Sequence, residues 1–235
     1  MLLFWNMPMK QLILCEKPQL ARFTISCLKE NFEPKKFKGS DAPTYFESPH
    51  YFVSWSFGHL FEAYDIEDYT KTEQDWTLDN LPFCPPDNHF LFKLKQRKNP
   101  ETGEKETDPG YRLQFDTIYY LINLPEVNGV IHYGDAAREG EVIIRQIIKN
   151  TLKSDKPIMR LWVNAMVPEA FYQSFSNMKY DREYDNYFNE GIARIKIDYL
   201  YGINLTRYTS LKAEAPKGSP LGVGRVLCAM VQEIY

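Results

Sequence analysis

Val130-Ile131-His132-Tyr133-Gly134-Asp135-Ala136-Ala137-Arg138-Glu139-Gly140-Glu141-Val142-Ile143-Ile144-Arg145-Gln146-Ile147-Ile148 passes from one apolar run through an acidic, glycine-bearing turn into a second run. The first four residues read as a buried strand and the last seven as an amphipathic helix. Acids at the carboxyl end of a strand stand where open α/β sheets place their ligands. Carboxylates two to four residues apart there can converge on one Mg²⁺. An ordinary strand-to-helix turn would use the same residues, with Glu139 and Glu141 complementing the helix dipole.

The flanking sequence repeats the alternation. Gln11-Leu12-Ile13-Leu14-Cys15 reads as a short buried strand, and Pro18 opens a helix through Leu20, Ala21, Phe23 and Leu28. Tyr51 to Ser56 alternates as a strand and ends at Gly58. Residues 64–110 are poor in pattern and rich in Pro, Asp and Tyr, so an irregular excursion is expected, with Arg97 to Gly110 a solvated loop. Arg112 to Leu121 is a helix, and Ile158 to Val163 a further strand. This order predicts an α/β domain with a largely parallel sheet over 10–165. Residues 1–9 are expected to be an extension. From 166 the texture becomes helical: Pro168 starts one helix, Tyr184 to Ser210 a long one, and Leu221 to Tyr235 another. An incomplete all-α segment is therefore expected over 166–235.

The 235 residues contain 44% hydrophobic side chains, enough for a packed core. No apolar run is long enough to cross a bilayer. The start lacks a basic leader and a small-residue cleavage site, so it does not read as a signal peptide. Cys15, Cys27, Cys84 and Cys228 are far apart, which predicts reduced thiols, a cytoplasmic setting and no zinc. The net charge of −3 argues against general polyanion binding, but Gly191 to Tyr235 carries six basic residues against three acidic ones. A basic segment on an acidic body is compatible with nucleic acid held on one side.

Other polar groups stand at strand and helix ends. Glu16-Lys17-Pro18 follows the first strand as the acidic turn follows a later one, so Glu16 can face Asp135 and Glu139 across the sheet end. A carboxyl pressed among carboxyls suits a proton donor, and a lysine beside it suits a phosphate. A helix-start Glu–Lys pair has the same sequence. His59, in Gly58-His59-Leu60, can hydrogen-bond a phosphate or be a satisfied structural histidine. Arg194, Asp198, Asn204 and Arg207 extend over a length of helix suited to tracking a nucleic-acid strand, or form a solvated polar face. Gly222-Val223-Gly224-Arg225 offers backbone N–H groups and a guanidinium to an anion.

Taken in order, these segments resemble the type IA DNA topoisomerases, of the topoisomerase III branch. Leu12 to Arg22 is similar to the family's opening "hxEKPSxAR" motif, and Ser54 to Leu60 to its "GHL" segment. Trp76 with Leu81-Pro82-Phe83-Cys84-Pro85 resembles "W…LPxxP", and residues 134–141 resemble "DxDREGE". Ala193 to Arg207 resembles "aRxxxDwlxGxNlTR", and Leu221 to Ala229 resembles "LSxGRVQTP". The resemblance covers about residues 10–235.

It implies a Toprim domain over roughly 10–165, then the first segment of a helical domain holding a single-stranded gate segment of DNA. It implies transient cleavage of one strand through a 5′-phosphotyrosine, without ATP. Glu16 would assist proton transfer at the leaving 3′ oxygen, and Lys17 would contact the scissile phosphate. Asp135 and Glu139 would hold Mg²⁺. His59, Arg138, Arg194, Asp198, Asn204, Arg207 and Arg225 would contact DNA. Three departures qualify this. The middle acid of the triplet is Ala137, which predicts a weakened Mg²⁺ site. Ser, Gln, Thr and Pro of the last motif are replaced, and Gln19 stands where the first motif has Ser. None of the 16 tyrosines sits in the nucleophile's motif. The nucleophile is thus expected outside this chain, which alone should not cleave DNA. The competing expectation is a non-catalytic, Toprim-containing DNA-binding homologue.

Overall fold

A computed structural model describes residues 9–70, 76–216 and 218–234. Of the expected extension, residues 1–8 lie outside the described residues. The elements in order are β1 (Lys10–Cys15), α1 (Pro18–Cys27), β2 (Glu33–Lys35), β3 (Tyr45–Glu47), β4 (Tyr51–Trp55), β5 (Phe61–Ala63) and α2 (Ile66–Thr70). Then come β6 (Phe92–Leu94), β7 (Gln96–Lys98), β8 (Lys105–Thr107), α3 (Pro109–Ile122), β9 (Val127–Tyr133) and α4 (Arg138–Thr151). The chain continues as β10 (Ile158–Arg160), α5 (Pro168–Ser176), β11 (Lys179–Tyr180), α6 (Asp185–Lys212) and α7 (Arg225–Ile234).

The main sheet has the order β11-β10-β9-β1-β4-β3-β2. Its four central strands run parallel, and the outer strands β11, β3 and β2 pair antiparallel. This is the α/β architecture expected, with β2, β3 and β11 added at the edges. Central strands buried on both faces need apolar residues at successive positions, which is why Leu12 to Cys15 and Val130 to Tyr133 are unbroken buried runs. One face carries Ile13, Cys15, Val53, Trp55, Ile131 and Tyr133 against Leu20, Ala21 and Phe171. On the other, Gln114 of α3 donates to Ser54 Oγ and to the carbonyls of Trp55 and Thr44. α3 starts with Pro109 behind Asp108, whose carboxylate accepts from the N–H groups of Gly110 and Tyr111.

The chain turns from β1 through α1 to β4 on one side, and from β9 through α4 to β10 on the other. The boundary between β1 and β9 is therefore the point where strand order reverses, and a ligand crevice forms outside the carboxyl ends of such strands.

Arg97 to Gly110 is largely exposed, as expected, but is not a loop. β7 and β8 form a hairpin with Arg97 opposite Glu106, their side chains paired at 3.0 Å. Gly103, at φ +73°, turns the chain. Charges on both strands hide the alternation that would mark them in sequence.

Two compact units result. One takes the residues up to Phe61 and Leu94–Gly191, the other Glu62–Lys93 and the residues from Ile192 on. α5 and β11, beyond residue 166, thus lie in the first unit, and of the excursion only the part up to Lys93 belongs with the helical segment. Among the described residues no helix is long and apolar enough to cross a membrane.

Cys15 and Cys27 are buried, while Cys84 and Cys228 are exposed. Burial pushes the Cys15 thiol up to about 12, against the opposing hydrogen bond with Thr24. Ellman titration of the native chain should therefore count two fast thiols and the denatured chain four. Three or four fast thiols in the native state would contradict this core.

Candidate active site at the carboxyl edge of the sheet

Parallel pairing sets Cys15 opposite Tyr133, so the residues that follow each strand meet. Glu16 N–H donates to the Tyr133 carbonyl at 3.0 Å. Asp135 N–H donates to Glu16 Oε2 at 2.8 Å. Lys17 Nζ lies 3.0 Å from Glu16 Oε1 and 2.6 Å from Asp135 Oδ2. Glu16 is only 3% exposed, whereas the Lys17 and Asp135 side chains are about half exposed. The hydrogen bond to Asp135 raises the Lys17 pKa above its ordinary value, with Glu16 adding to it and partial burial opposing.

The turn after β4 completes the wall. Ser56 Oγ donates to the Glu16 carbonyl at 2.8 Å, and Gly58 N–H to the same oxygen at 3.1 Å. His59 follows, largely withdrawn from water. Burial and the charge of Lys95 lower its pKa, and the carboxylates of Glu16 and Glu139 oppose that. Glu16, Lys17, His59, Asp135 and Glu139 are thus gathered at one edge, as their positions after β1, β4 and β9 imply. A cavity of about 330 Å³ opens beside Asp135, bounded by Leu20, Tyr133, Ala137, Val163 and Asn164.

Close backbone packing shapes the acidic turn. A Cβ on Gly134 would stand 2.6 Å from the Gly140 carbonyl oxygen, and one on Gly140 would stand 2.6 Å from Asp135 N. Ala137 is the N-cap of α4 and offers no side-chain cap. Arg138 pairs with Glu139 at 3.4 Å and also with Glu190.

Beneath the turn lies a buried charge network that the sequence reading passed over. Arg160 is fully buried; its guanidinium donates to the carbonyls of Gly134 at 3.0 Å, Asp135 at 2.8 Å and Leu161 at 2.7 Å. Its Nε meets Glu141 Oε1 at 2.5 Å. Arg145 Nε reaches Glu141 Oε2 at 3.1 Å and Asp181 Oδ2 at 3.0 Å, and His132 Nδ1 lies 2.6 Å from Asp181 Oδ1. Burial raises the Asp181 carboxyl, but the bond to His132 and the charges of Arg145 and Arg160 outweigh it and hold the pKa below its usual range. His132, Glu141 and Asp181 are close enough to hold a metal ion, their ligand atoms lying within 4.8 Å of one another. Two guanidinium groups already supply positive charge there. The signals for this network were an arginine and a histidine inside apolar strand runs, positions where unpaired charge is costly.

The second unit holds the remaining predicted residues. Asn204 Oδ1 accepts from Phe83 N–H at 2.6 Å, and its Nδ2 donates to the Phe83 carbonyl at 2.9 Å. Arg207 is 6% exposed, pairs with Glu67 at 3.2 Å, and its guanidinium carbon lies 4.7 Å from the Trp76 ring centroid. Arg207 is thus interior to its unit, and Asn204 is partly buried. Arg194 and Asp198 pair at 3.6 Å on the open face of α6. Arg225 opens α7, but its side chain lies outside the described residues.

The acidic edge suits a hard cation. Asp135 and Glu139 are oxygen donors at an accessible rim, and Mg²⁺ needs only one or two carboxylates besides water and phosphate oxygens. Ala137 contributes no donor.

No protein-family profile matches this chain. The chain is 34% identical over 224 residues, 95% of its length, to DNA topoisomerase 3 of Staphylococcus aureus strain USA300. It is equally similar to the putative DNA topoisomerase 3 of strain bovine RF122 / ET3-1 and to DNA topoisomerase 3 of strain MRSA252. The chain spans 28% of the length of these curated relatives.

Proposed function

We propose, from the premise that this chain is homologous along nearly its whole length to part of DNA topoisomerase 3, a type IA topoisomerase, that it supplies the acid centre and first strand-binding helices of such an enzyme. The observation that carries the reading is the Glu16–Lys17–Asp135 contact at the point where strand order reverses. The full protein would change DNA topology by transient single-strand cleavage through a 5′-phosphotyrosine, without ATP, in the cytoplasm. This chain lacks the nucleophile's motif and alone would bind without cleaving.

Each residue then has a physical task. Glu16 is buried and both its oxygens accept hydrogen bonds, which holds its carboxyl in position to assist proton transfer at a departing 3′ oxygen. Lys17 brings an ammonium to the rim, where a phosphate would take it as partner. His59 and Arg138 would add donors toward the same phosphate region. Asp135 and Glu139 would hold Mg²⁺, weakly for want of an acid at 137; when bound, it neutralises phosphate charge. Arg194 and Asp198 would face the gate strand, and Arg225 would meet a phosphate. Asn204 and Arg207 would act by holding Phe83, Glu67 and Trp76 in place around α6, and so shape the strand-binding surface.

The test is fluorescence anisotropy with labelled single-stranded and duplex oligonucleotides across a salt series. Preferential single-strand binding is expected, and Arg194→Ala should lower the salt slope by about 0.7. Equal affinity for duplex, or an unchanged slope, would remove the gate-strand reading. Covalent adduct formation by this chain alone would refute its predicted inability to cleave.

A further inference from the structure

Lys17 occupies the rim of the acidic edge where a divalent cation would bind. The Lys17 ammonium touches Asp135 Oδ2 at 2.6 Å and Glu16 Oε1 at 3.0 Å. A divalent cation on the same Asp135 oxygen would sit at about 2.0–2.1 Å. Two cations cannot share that oxygen at such distances without strong repulsion, so a divalent ion that takes Asp135 Oδ2 must displace Lys17 from it. Ala137 lacks the carboxylate that would otherwise offer the ion a third anchor beside Asp135 and Glu139. The reach of Lys17 is set by its place: it is the N-cap of α1, in extended backbone at φ −141° and ψ 153°, and its side chain makes no cap bond. A lysine has no acceptor to offer a helix N-terminus, and its ammonium lies instead against Glu16 and Asp135.

We infer that Lys17 is a resident internal cation that latches Asp135, and that a DNA phosphate opens the site to a divalent ion by drawing Lys17 away. The role of the phosphate rests on the reading under Proposed function; the latch itself rests on geometry alone. The two ligands then bind cooperatively, because phosphate relieves Asp135 of the ammonium and the metal relieves Lys17 of the carboxylate. Reciprocity requires each to raise the other's affinity by the same factor. The device keeps a two-carboxylate site charge-balanced while no strand is bound, and makes strand binding favour metal binding.

The experiment is Mn²⁺ binding by electron paramagnetic resonance on this chain, with and without single-stranded oligothymidylate, subtracting Mn²⁺ held by the oligonucleotide itself. In the unmodified chain the oligonucleotide should tighten Mn²⁺ binding on the order of tenfold, within the usual range of site coupling. Lys17→Met should bind Mn²⁺ on the order of tenfold more tightly without DNA, and the oligonucleotide should add nothing further. Lys95→Met removes a nearby charge that does not touch Asp135, and should behave as the unmodified chain. Circular dichroism establishes that each variant is folded. Equal gains from Lys17→Met and Lys95→Met would reduce the effect to general electrostatics and overturn the latch, as would unchanged affinity in Lys17→Met. If DNA fails to bind, the functional reading fails, while the DNA-free comparison still decides the latch.

Discussion

Glu141→Gln should destabilise this chain by about 3–5 kcal/mol, a large share of the stability of an ordinary domain. Glu141 is fully buried and is the shared anion of Arg160 and Arg145, at 2.5 and 3.1 Å. A neutral amide of the same shape leaves a buried guanidinium without its counter-charge, and that uncompensated charge, more than the lost bond, sets the cost. The effect extends to the acidic turn, because Arg160 is positioned by Glu141 and in turn holds the carbonyls of Gly134 and Asp135. Urea unfolding checks the magnitude. The double variant Glu141→Leu with Arg160→Met removes both charges and should recover much of the loss, while a cost for Glu141→Gln below about 1 kcal/mol would mean that the network is screened by water.

Gly140→Ala should cost about 3 kcal/mol or force the turn to shift. The added methyl would lie 2.6 Å from Asp135 N and in still closer conflict with the Asp135 carbonyl oxygen. Both are backbone atoms already fixed, one by Glu16 and the other by Arg160, and neither can swing aside as a flexible side chain would. The Asp135 N–H to Glu16 bond should therefore break, with loss of the Glu16–Lys17–Asp135 arrangement as well as of stability. Gly222→Ala is the control, since nothing lies within 4 Å of its added Cβ. Thermal unfolding of the two variants, with the Asp135 amide followed by NMR, separates a strained turn from a general loss of folding; equal melting temperatures for both would show that the turn yields freely.

Much of the acid centre was legible because its placement follows local rules. Glu16, Asp135 and Glu139 each stand just beyond an apolar run, and parallel strands put such positions at one edge. Lys17 against Asp135 was not legible as a contact, since the two are 118 residues apart and only the pairing of β1 with β9 joins them. The same applies to Arg160, whose charge in a buried strand is explained by Glu141 and by turn carbonyls far from it in sequence. Asn204 and Arg207 looked like strand-tracking groups because a helix face shows period, not what packs on it; Phe83, Glu67 and Trp76 occupy them.

The sequence by itself determined the order of the four parallel strands and of the main helices, the position of the acids at strand ends, and the absence of the third carboxylate at Ala137. These depend on side-chain periodicity, capping and residue identity, all of which act within a few neighbouring residues. Only the tertiary structure decided which charge meets which: that Lys17 closes on Asp135, that Arg160 lies under the acidic turn, and that residues 62–93 belong with α6. Such choices depend on strand adjacency, register and the exclusion of water, and these arise only when segments distant in the chain are packed together.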